Sequence, residues 1–298
     1  MRDDAPFGVV VNPSSALGRG ARVAKHVLAE FAQAGLHAVE ITGEDAADCQ
    51  ARVRAAAQRG LRGLVLVGGD GLIGLILQLP EARALPIGVV PAGSGNDFAR
   101  QFDLPHAPAE AVARVLESEH APLAVDLGVV ARPGADEHWF AGGLSIGLDA
   151  AVNRRANAIR LPLGPFRYHI ALVVEILILR ARRFTVRIRG NEHSTMGILS
   201  TVMNTRAIGG GIRLAPRASV HDGMLDLVEV SNGSKLRLLS VLGLLARAKH
   251  EHLPEVTITR AEHIRIDAGD EIAYSDGERV GTGPFEVRVA PGALTLLA

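Results

Sequence analysis

The sequence predicts an α/β domain followed by an all-β domain. Residues 1–122 read as a doubly wound α/β nucleotide-binding domain, and residues 123–298 as an antiparallel β-sandwich. Three observations carry this. Two apolar runs, 64–67 and 87–90, each end in a glycine turn, Gly68-Gly-Asp-Gly and Pro91-Ala-Gly-Ser-Gly. Strand-like and helix-like segments alternate over residues 7–119, the pattern of a parallel sheet with helices on both faces. Beyond Pro122 the style changes to short strand-like runs separated by turns.

In order, residues 7–11 are an apolar run that stops at Asn12-Pro13-Ser14-Ser15, a strand and a turn. Val23, Val27, Leu28 and Phe31 recur at helical spacing, and Gly35 closes that helix. Residues 38–42 alternate as a second strand, and a helix over 46–59 turns Val53 and Ala57 inward. The two buried strands at 64–67 and 87–90 follow, then a helix over 109–116. In the second half, strands are expected at 126–130, 139–144, 184–188, 196–203 and 225–230. Helical insertions are expected at 168–182 and 235–247.

Composition narrows the function classes. Lys+Arg and Asp+Glu are both 32, so the formal net charge is zero, which argues against a nucleic-acid partner held by a basic surface. Cys49 is the sole cysteine, so no intramolecular disulfide can form. The N-terminal Met1-Arg-Asp-Asp has no apolar leader run, and the longest apolar runs fall short of the roughly 20 residues that span a bilayer. A cytoplasmic protein is expected, with room for peripheral contact at the inner membrane face. The eleven histidines form no metal-binding spacing.

The glycine turns are where chemistry is expected. Without a Cβ, Gly68, Gly69 and Gly71 let backbone N–H groups approach a phosphate, and Gly93 and Gly95 do the same beside the Ser94 hydroxyl. Such turns sit at the carboxyl ends of strands, where open α/β sheets bind ligands. Asp70 stands at one tip and Asn96-Asp97 at the other. A carboxylate at position 70 can reach Mg²⁺ on the phosphates or cap the helix that follows. Asn12, Pro13, Ser14 and Ser15 form a first candidate phosphate loop at a helix start.

Gly68-Gly-Asp-Gly followed by Pro91-Ala-Gly-Ser-Gly-Asn-Asp-Phe-Ala-Arg resembles the diacylglycerol kinase catalytic-domain family, which includes bacterial lipid kinases, sphingosine kinases and ceramide kinases. The Gly-Gly-Asp-Gly part also occurs in NAD kinases. Further marks follow in the family's order. They are Ser145-Ile-Gly-Leu-Asp149, Asn204, Gly209-Gly210-Gly211, Ala215-Pro216, Asp222-Gly223-Met224-Leu225-Asp226 and Asp276-Gly277-Glu278. Ala16 stands where the family usually has glycine, and Leu72-Ile73-Gly74-Leu75 replaces a usual Thr and Asn-Glu. Leucine at that first position has precedent in sphingosine kinases, and Ser94 replaces a threonine while keeping the hydroxyl.

The resemblance implies an ATP-dependent kinase that phosphorylates a hydroxyl of a lipid, diacylglycerol-like or related, in a cleft between two domains. It implies ATP contacts at Thr42 and Leu72 beside the loop residues already named. It implies a general base at Glu278, with Asp70 the rival and Asp276 in the same acidic motif. It also implies a structural Mg²⁺ held by the Asp222 side chain and the carbonyls of Ser219 and Met224, where an Asp-Gly turn is equally compatible with the sequence. The alternatives are an NAD kinase-like enzyme, against which the second-half signatures argue, and a nucleotide-binding protein without kinase activity. The expected partner is a lipid substrate presented by a membrane, and a homodimer is allowed for. Residues 236–245, with Leu236, Leu239, Val241, Leu242 and Leu245 on a broad apolar face and Lys235, Arg237, Arg247 and Lys249 flanking it, are the expected membrane or acyl-chain contact, whereas residues 170–179 are expected to pack on the core.

Overall fold

The computed structural model describes residues 5–12, 20–159, 170–171, 174–175, 178, 180–234, 237, 240–241, 244–245 and 247–298. The chain divides into two compact units, Met1–Val125 with Gly292–Ala298, and Asp126–Pro291.

The first unit runs β1 (Phe7–Val11), α1 (Gly20–Gln33), β2 (Ala38–Thr42), α2 (Ala46–Arg59), β3 (Gly63–Gly68), α3 (Asp70–Leu77), α4 (Pro80–Arg83), β4 (Ile87–Pro91), α5 (Asp97–Gln101) and α6 (Pro108–Ser118). Strand order is β2-β1-β3-β4, all parallel. β1, β3 and β4 are buried along their whole length, as strands covered on both faces must be. On one face Phe7, Val9, Val65, Val67 and Val90 meet Val27 and Phe31 of α1 and Val112 and Val115 of α6. The Phe7 and Phe31 rings lie 5.0 Å apart. α2 contacts β1, and α3 contacts β3. Asp45 caps α2 by accepting from the Asp48 N–H at 2.8 Å, a contact of about 1 kcal/mol. The buried positions of α2 are Cys49, Val53 and Ala56, so the inner stripe passes through Ala56 rather than Ala57.

β2 lies on one side of β1 and β3 on the other. The carboxyl ends of β1 and β3 therefore flank the point where strand order reverses. In open α/β sheets that point is the ligand crevice.

The second unit is built from β5 (Leu123–Ala131), β6 (His138–Phe140), β7 (Gly143–Gly147), α7 (Leu148–Ala158), β8 (Arg182–Ile188), β9 (Asn191–Met203), β10 (Leu225–Ser231), β11 (Val256–Ala261), β12 (His263–Asp267), β13 (Ile272–Ser275), β14 (Glu278–Thr282) and the start of β15 (Phe285–Leu297). Neighbours run β14-β13-β7-β9-β8-β12-β15 in antiparallel pairs, with β10 between β9 and β11. Two cores result. Leu144, Ile146, Phe184, Val202, Leu227, Ile266 and Phe285 fill one, and Leu199, Met203, Val228, Val241 and Leu245 the other. Leu227 and Val228 are consecutive on β10 yet enter different cores, because successive strand residues point to opposite faces.

Three features differ from the sequence expectation. First, the strand expected over 139–144 is two strands, β6 and β7. The Asp276 carboxylate accepts the N–H groups of Ala141 (2.7 Å), Gly142 (3.0 Å) and Gly143 (3.0 Å) and so breaks the ladder there. Second, Val241 and Leu245 of the second helical insertion are buried in a core rather than turned outward. Leu236, Leu239 and Leu242 lie outside the described residues. Third, in the first insertion Ile170 and Ile178 are exposed rather than packed. Among the described residues no helix is long and apolar enough to cross a membrane.

Asp276 and Gly277 link β13 to β14 with φ of 47° and 94°, the two positive values of a type I′ hairpin turn. Removing the Asp276 carboxylate would leave three N–H groups without their acceptor. Asp276→Ala is expected to lower unfolding stability by about 3 kcal/mol, read as a shift in urea midpoint at unchanged slope.

Candidate functional site

The residues singled out in the first half of the sequence converge on one sheet edge. Thr42, Val11, Val67 and Val90 stand in register across β2, β1, β3 and β4. Just beyond this row, the Asn12 N–H donates to the Val67 carbonyl at 3.3 Å, and the Ala92 N–H to the Gly68 carbonyl at 2.8 Å. The chain then opens into the glycine turns. Pro13, Ser14 and Ser15 fall outside the described residues.

Asp70 is the first residue of α3, but its carboxylate does not cap that helix. Oδ2 accepts from the Asp97 N–H at 3.1 Å and Oδ1 from the Phe98 N–H at 2.9 Å, so it caps α5 across the gap between the two turns. Asn96 completes the tie. Its backbone is left-handed (φ 54°), its Oδ1 accepts from the Gly93 N–H at 2.9 Å, and its Nδ2 donates to the Gly93 carbonyl at 3.0 Å. The turns touch at their glycines. A Cβ on Gly93 would stand 2.5 Å from the Gly69 Cα, and one on Gly69 2.9 Å from the Gly93 Cα. Loop-to-loop contact thus requires both glycines, quite apart from any phosphate. At Gly71 a Cβ would meet nothing within 4 Å.

Ser94 is exposed and Gly95 half-buried. The Gly95 carbonyl accepts from Arg100 at 3.0 Å, and the Asp97 carboxylate pairs with the same guanidinium at 2.8 Å. The Thr42 hydroxyl donates to the Glu40 carboxylate at 2.9 Å. Leu72 departs from the expected nucleotide set. It is buried, 4% exposed, and its N–H donates to the Gly69 carbonyl at 3.0 Å within the helix turn.

Asp70 suits a magnesium ion on a nucleotide. It is half-buried, and two N–H bonds leave lone pairs on a group that can accept about four. Mg²⁺ commonly takes one or two carboxylates plus phosphate oxygens and waters. The 218–224 segment suits a cation less well. The Asp222 carboxylate forms an ion pair with Arg260 and accepts from the Met224 N–H at 3.1 Å. Ser219 Oγ accepts from the His221 N–H at 3.4 Å, and the Gly223 N–H donates to Asp126 at 2.8 Å. The Asp222 side chain expected to meet magnesium is thus paired with a guanidinium. Among the described residues no cluster of three or more His, Cys, Asp or Glu side chains could hold a metal.

The acidic hairpin separates into two roles. Asp276 is committed to the three N–H groups after β6, a structural task that displaces it from the catalytic set. Glu278 opens β14, opposite Ser275, and is exposed. The burial expected of a base tuned by desolvation is therefore not found at Glu278 within its unit.

Two carboxylates with larger roles than the sequence showed are Asp126 and Asp149. Asp126 is buried, and its carboxylate accepts from the Gly223 N–H at 2.8 Å. The signal for it was only an acidic residue inside an apolar run. Asp149 lies in the first turn of α7 and accepts from the Thr201 hydroxyl and, at 2.9 Å, from the Ala150 N–H. Burial pushes its carboxyl up from 3.8 to about 6, against hydrogen bonds from Thr201, Ser145 and Ala150 that pull it down. The folded state then holds this proton more tightly than the unfolded chain. The associated stability is complete below about pH 4 and lost as pH rises through about 6. Asp149→Asn should remove this dependence. Its stability relative to wild type is expected to rise by up to about 3 kcal/mol between pH 4 and 7, measured by urea unfolding at stepped pH.

Known proteins match this arrangement along the whole chain. Residues 6–130 match the diacylglycerol kinase catalytic domain, and residues 142–298 match the YegS C-terminal NAD kinase beta sandwich-like domain. A diacylglycerol kinase of Mycobacterium tuberculosis (strain ATCC 25618 / H37Rv) is 33% identical over 289 residues, 97% of this chain and 93% of that protein. A protein of Chromohalobacter salexigens named "Probable lipid kinase YegS-like" is 28% identical over 89% of this chain and 85% of its own. The fold matches the crystal structure of a diacylglycerol kinase from Bacillus anthracis str. Sterne with a TM-score of 0.72, covering 100% of this chain and 97% of that one at 16% identity. With both halves matched and a relative at one-third identity over nearly its whole length, the chain belongs to the diacylglycerol kinase catalytic-domain family of lipid kinases.

Proposed function

We propose that the protein transfers the γ-phosphoryl group of ATP to a hydroxyl of a diacylglycerol-like lipid. The observation that carries this is the pair of glycine turns at the carboxyl edge of the parallel sheet, tied by one carboxylate, in a chain of the lipid-kinase family.

The first unit is the donor side. Asn12 and the turns at Gly68, Gly69, Gly71, Gly93, Ser94 and Gly95 hold the triphosphate with N–H groups, the Ser94 hydroxyl and the open end of α3. Thr42 bounds the same edge. Phosphoryl transfer is mostly positioning and charge stabilisation, so a rigid arrangement of donors is what it requires. Magnesium, when bound with the nucleotide, supplies neutralisation of the charge on the transferring group, and Asp70 is the residue that would hold it. Asp97 orients α5 through its N–H bond to Asp70.

The second unit is the acceptor side, with Glu278 as the base. The lipid oxygen attacks the γ-phosphorus, the bond to the bridging oxygen breaks, ADP leaves, and the hydroxyl proton passes to Glu278. The expected partners are ATP, Mg²⁺ and a lipid in a membrane.

Labelled ATP presented with a panel of lipid micelles and with NAD tests the reading. Label is expected in a diacylglycerol-like lipid. Label in NAD alone, or in no acceptor while ATP still binds, would replace the reading with one of its alternatives. Asp70→Asn is expected to cut turnover roughly 10²–10³-fold. It should also cost about 1 kcal/mol of stability through the lost α5 cap, so kinetics and unfolding are measured on the same variant. Glu278→Gln should lower kcat by roughly 10²-fold or more with ATP affinity unchanged by calorimetry. A loss below about threefold would remove Glu278 from the mechanism.

A further inference from the structure

Two groups at the acidic hairpin each lack what the other could supply. Ser275 ends β13 and Glu278 opens β14, and the two stand directly opposite each other across the turn. Ser275 is fully buried, and among the described residues its hydroxyl has no hydrogen-bond partner. A buried hydroxyl left this way is destabilising and calls for a reason. Glu278 is exposed, and among the described residues its carboxylate has neither a hydrogen-bond nor an ion-pair partner. A donor without an acceptor thus stands beside an acceptor without a donor.

Strand geometry puts both side chains on one face. Residues directly opposite in an antiparallel pair share a face, with Cβ atoms about 5 Å apart. For Ser275 that face also carries Ala273, two residues before it, and Leu144, opposite it on β7, both in the core that holds Phe184 and Phe285. Val280, two residues beyond Glu278, enters the same core. The backbone between the pair is fixed. The Asp276 carboxylate is tied to the N–H groups of Ala141, Gly142 and Gly143, and its own N–H donates to the Gly143 carbonyl at 3.2 Å. Rotation about the side-chain bonds of Glu278 is then enough to bring carboxylate to hydroxyl. Another buried hydroxyl without a partner, Ser200, stands opposite Glu229, but that carboxylate is already held by His193 at 2.9 Å.

We infer that the Ser275 hydroxyl donates to the Glu278 carboxylate during turnover and fixes the orientation in which that carboxylate takes the acceptor's proton. One carboxylate oxygen is held, and the other is left for the lipid hydroxyl. Ser275 keeps its own proton, so it is a positioning residue and not a second base. A base acts only within hydrogen-bond reach of the proton it abstracts, and an exposed glutamate left to itself spends its time over several rotamers. The inference rests on the reading of Glu278 as the base and names what holds that base in place.

The test is a double-mutant cycle on the intact protein with ATP and diacylglycerol micelles, using Ser275→Ala, Glu278→Gln and the two combined. Ser275→Ala should lower kcat at least about tenfold, as for a lost hydrogen bond to an ionised group, with KM for ATP unchanged. In the Glu278→Gln background the same change should cost less than about twofold, because the carboxylate that it positions is gone. Ser275→Cys, similar in size with a weak donor, should fall between Ser275→Ala and wild type. The urea midpoint of Ser275→Ala should equal or exceed that of wild type, because the hydroxyl it removes has no partner in the free protein. A kcat for Ser275→Ala within about twofold of wild type would overturn the inference, and so would an equal loss in both backgrounds. A lowered urea midpoint would also overturn it by making the hydroxyl structural. In each of these cases wild type still phosphorylates lipid and Glu278→Gln is still impaired, so the kinase reading stands. A wild type that phosphorylates no lipid would overturn that reading and the inference with it.

Discussion

The candidate site depends on the bond between the Asp70 carboxylate and the start of α5. Two N–H groups of one turn are held by a side chain of the other, at 2.9 and 3.1 Å. Bonds to an ionised acceptor are about twice as strong as neutral ones. This one also decides geometry, since it draws the turns close enough that only glycine fits at Gly69 and Gly93. Asn96 in the left-handed region, with both side-chain atoms on Gly93, holds the remaining freedom of the second turn. Turns held this way are ordered before any ligand arrives, which reduces the ordering that binding would otherwise require.

The second unit uses the same device. Asp276 gathers three N–H groups, Asp126 accepts from Gly223, and Asn204 donates to the carbonyls of Asp126 and Ala141. These polar side chains replace ladder bonds where strands end and chains turn, which is what buried backbone groups need when no neighbouring strand supplies a partner. Acidic residues in family motifs therefore divide into those that hold backbone and those left open to solvent or a ligand. Asp276 is of the first kind, Glu278 of the second, and Asp70 serves both.

Burial assigns another division. Asp149 and Glu175 are acidic positions drawn inward, one beneath the start of α7 with hydroxyl donors around it, the other against Arg155. Neither position could be told from an exposed acid by its neighbours in sequence. Their placement follows from packing, which buries Ala171 and Glu175 and leaves Ile170 and Ile178 exposed.

The sequence alone determined the class of each half, the place of the glycine turns at strand ends and the family. It could do so because these rest on local signals. Fully apolar runs mark strands covered on both faces, glycine turns mark their carboxyl ends, and contiguous motifs need no partner to be read. It placed Asn12, Thr42, Gly69 and Ser94 at strand ends, and β1, β3 and β4 lie where the apolar runs stand. Tertiary structure decided what depends on residues far apart in the chain. The Asp70 carboxylate belongs to a helix 27 residues away. The single strand expected at 139–144 is split by Asp276 from 135 residues away. Leu296 and Leu297 pair with β4 in the first unit, although they follow the whole of the second. Hydrogen-bond partners, helix faces and the charge state of a buried carboxylate are set by what packing brings near, and no local pattern records that.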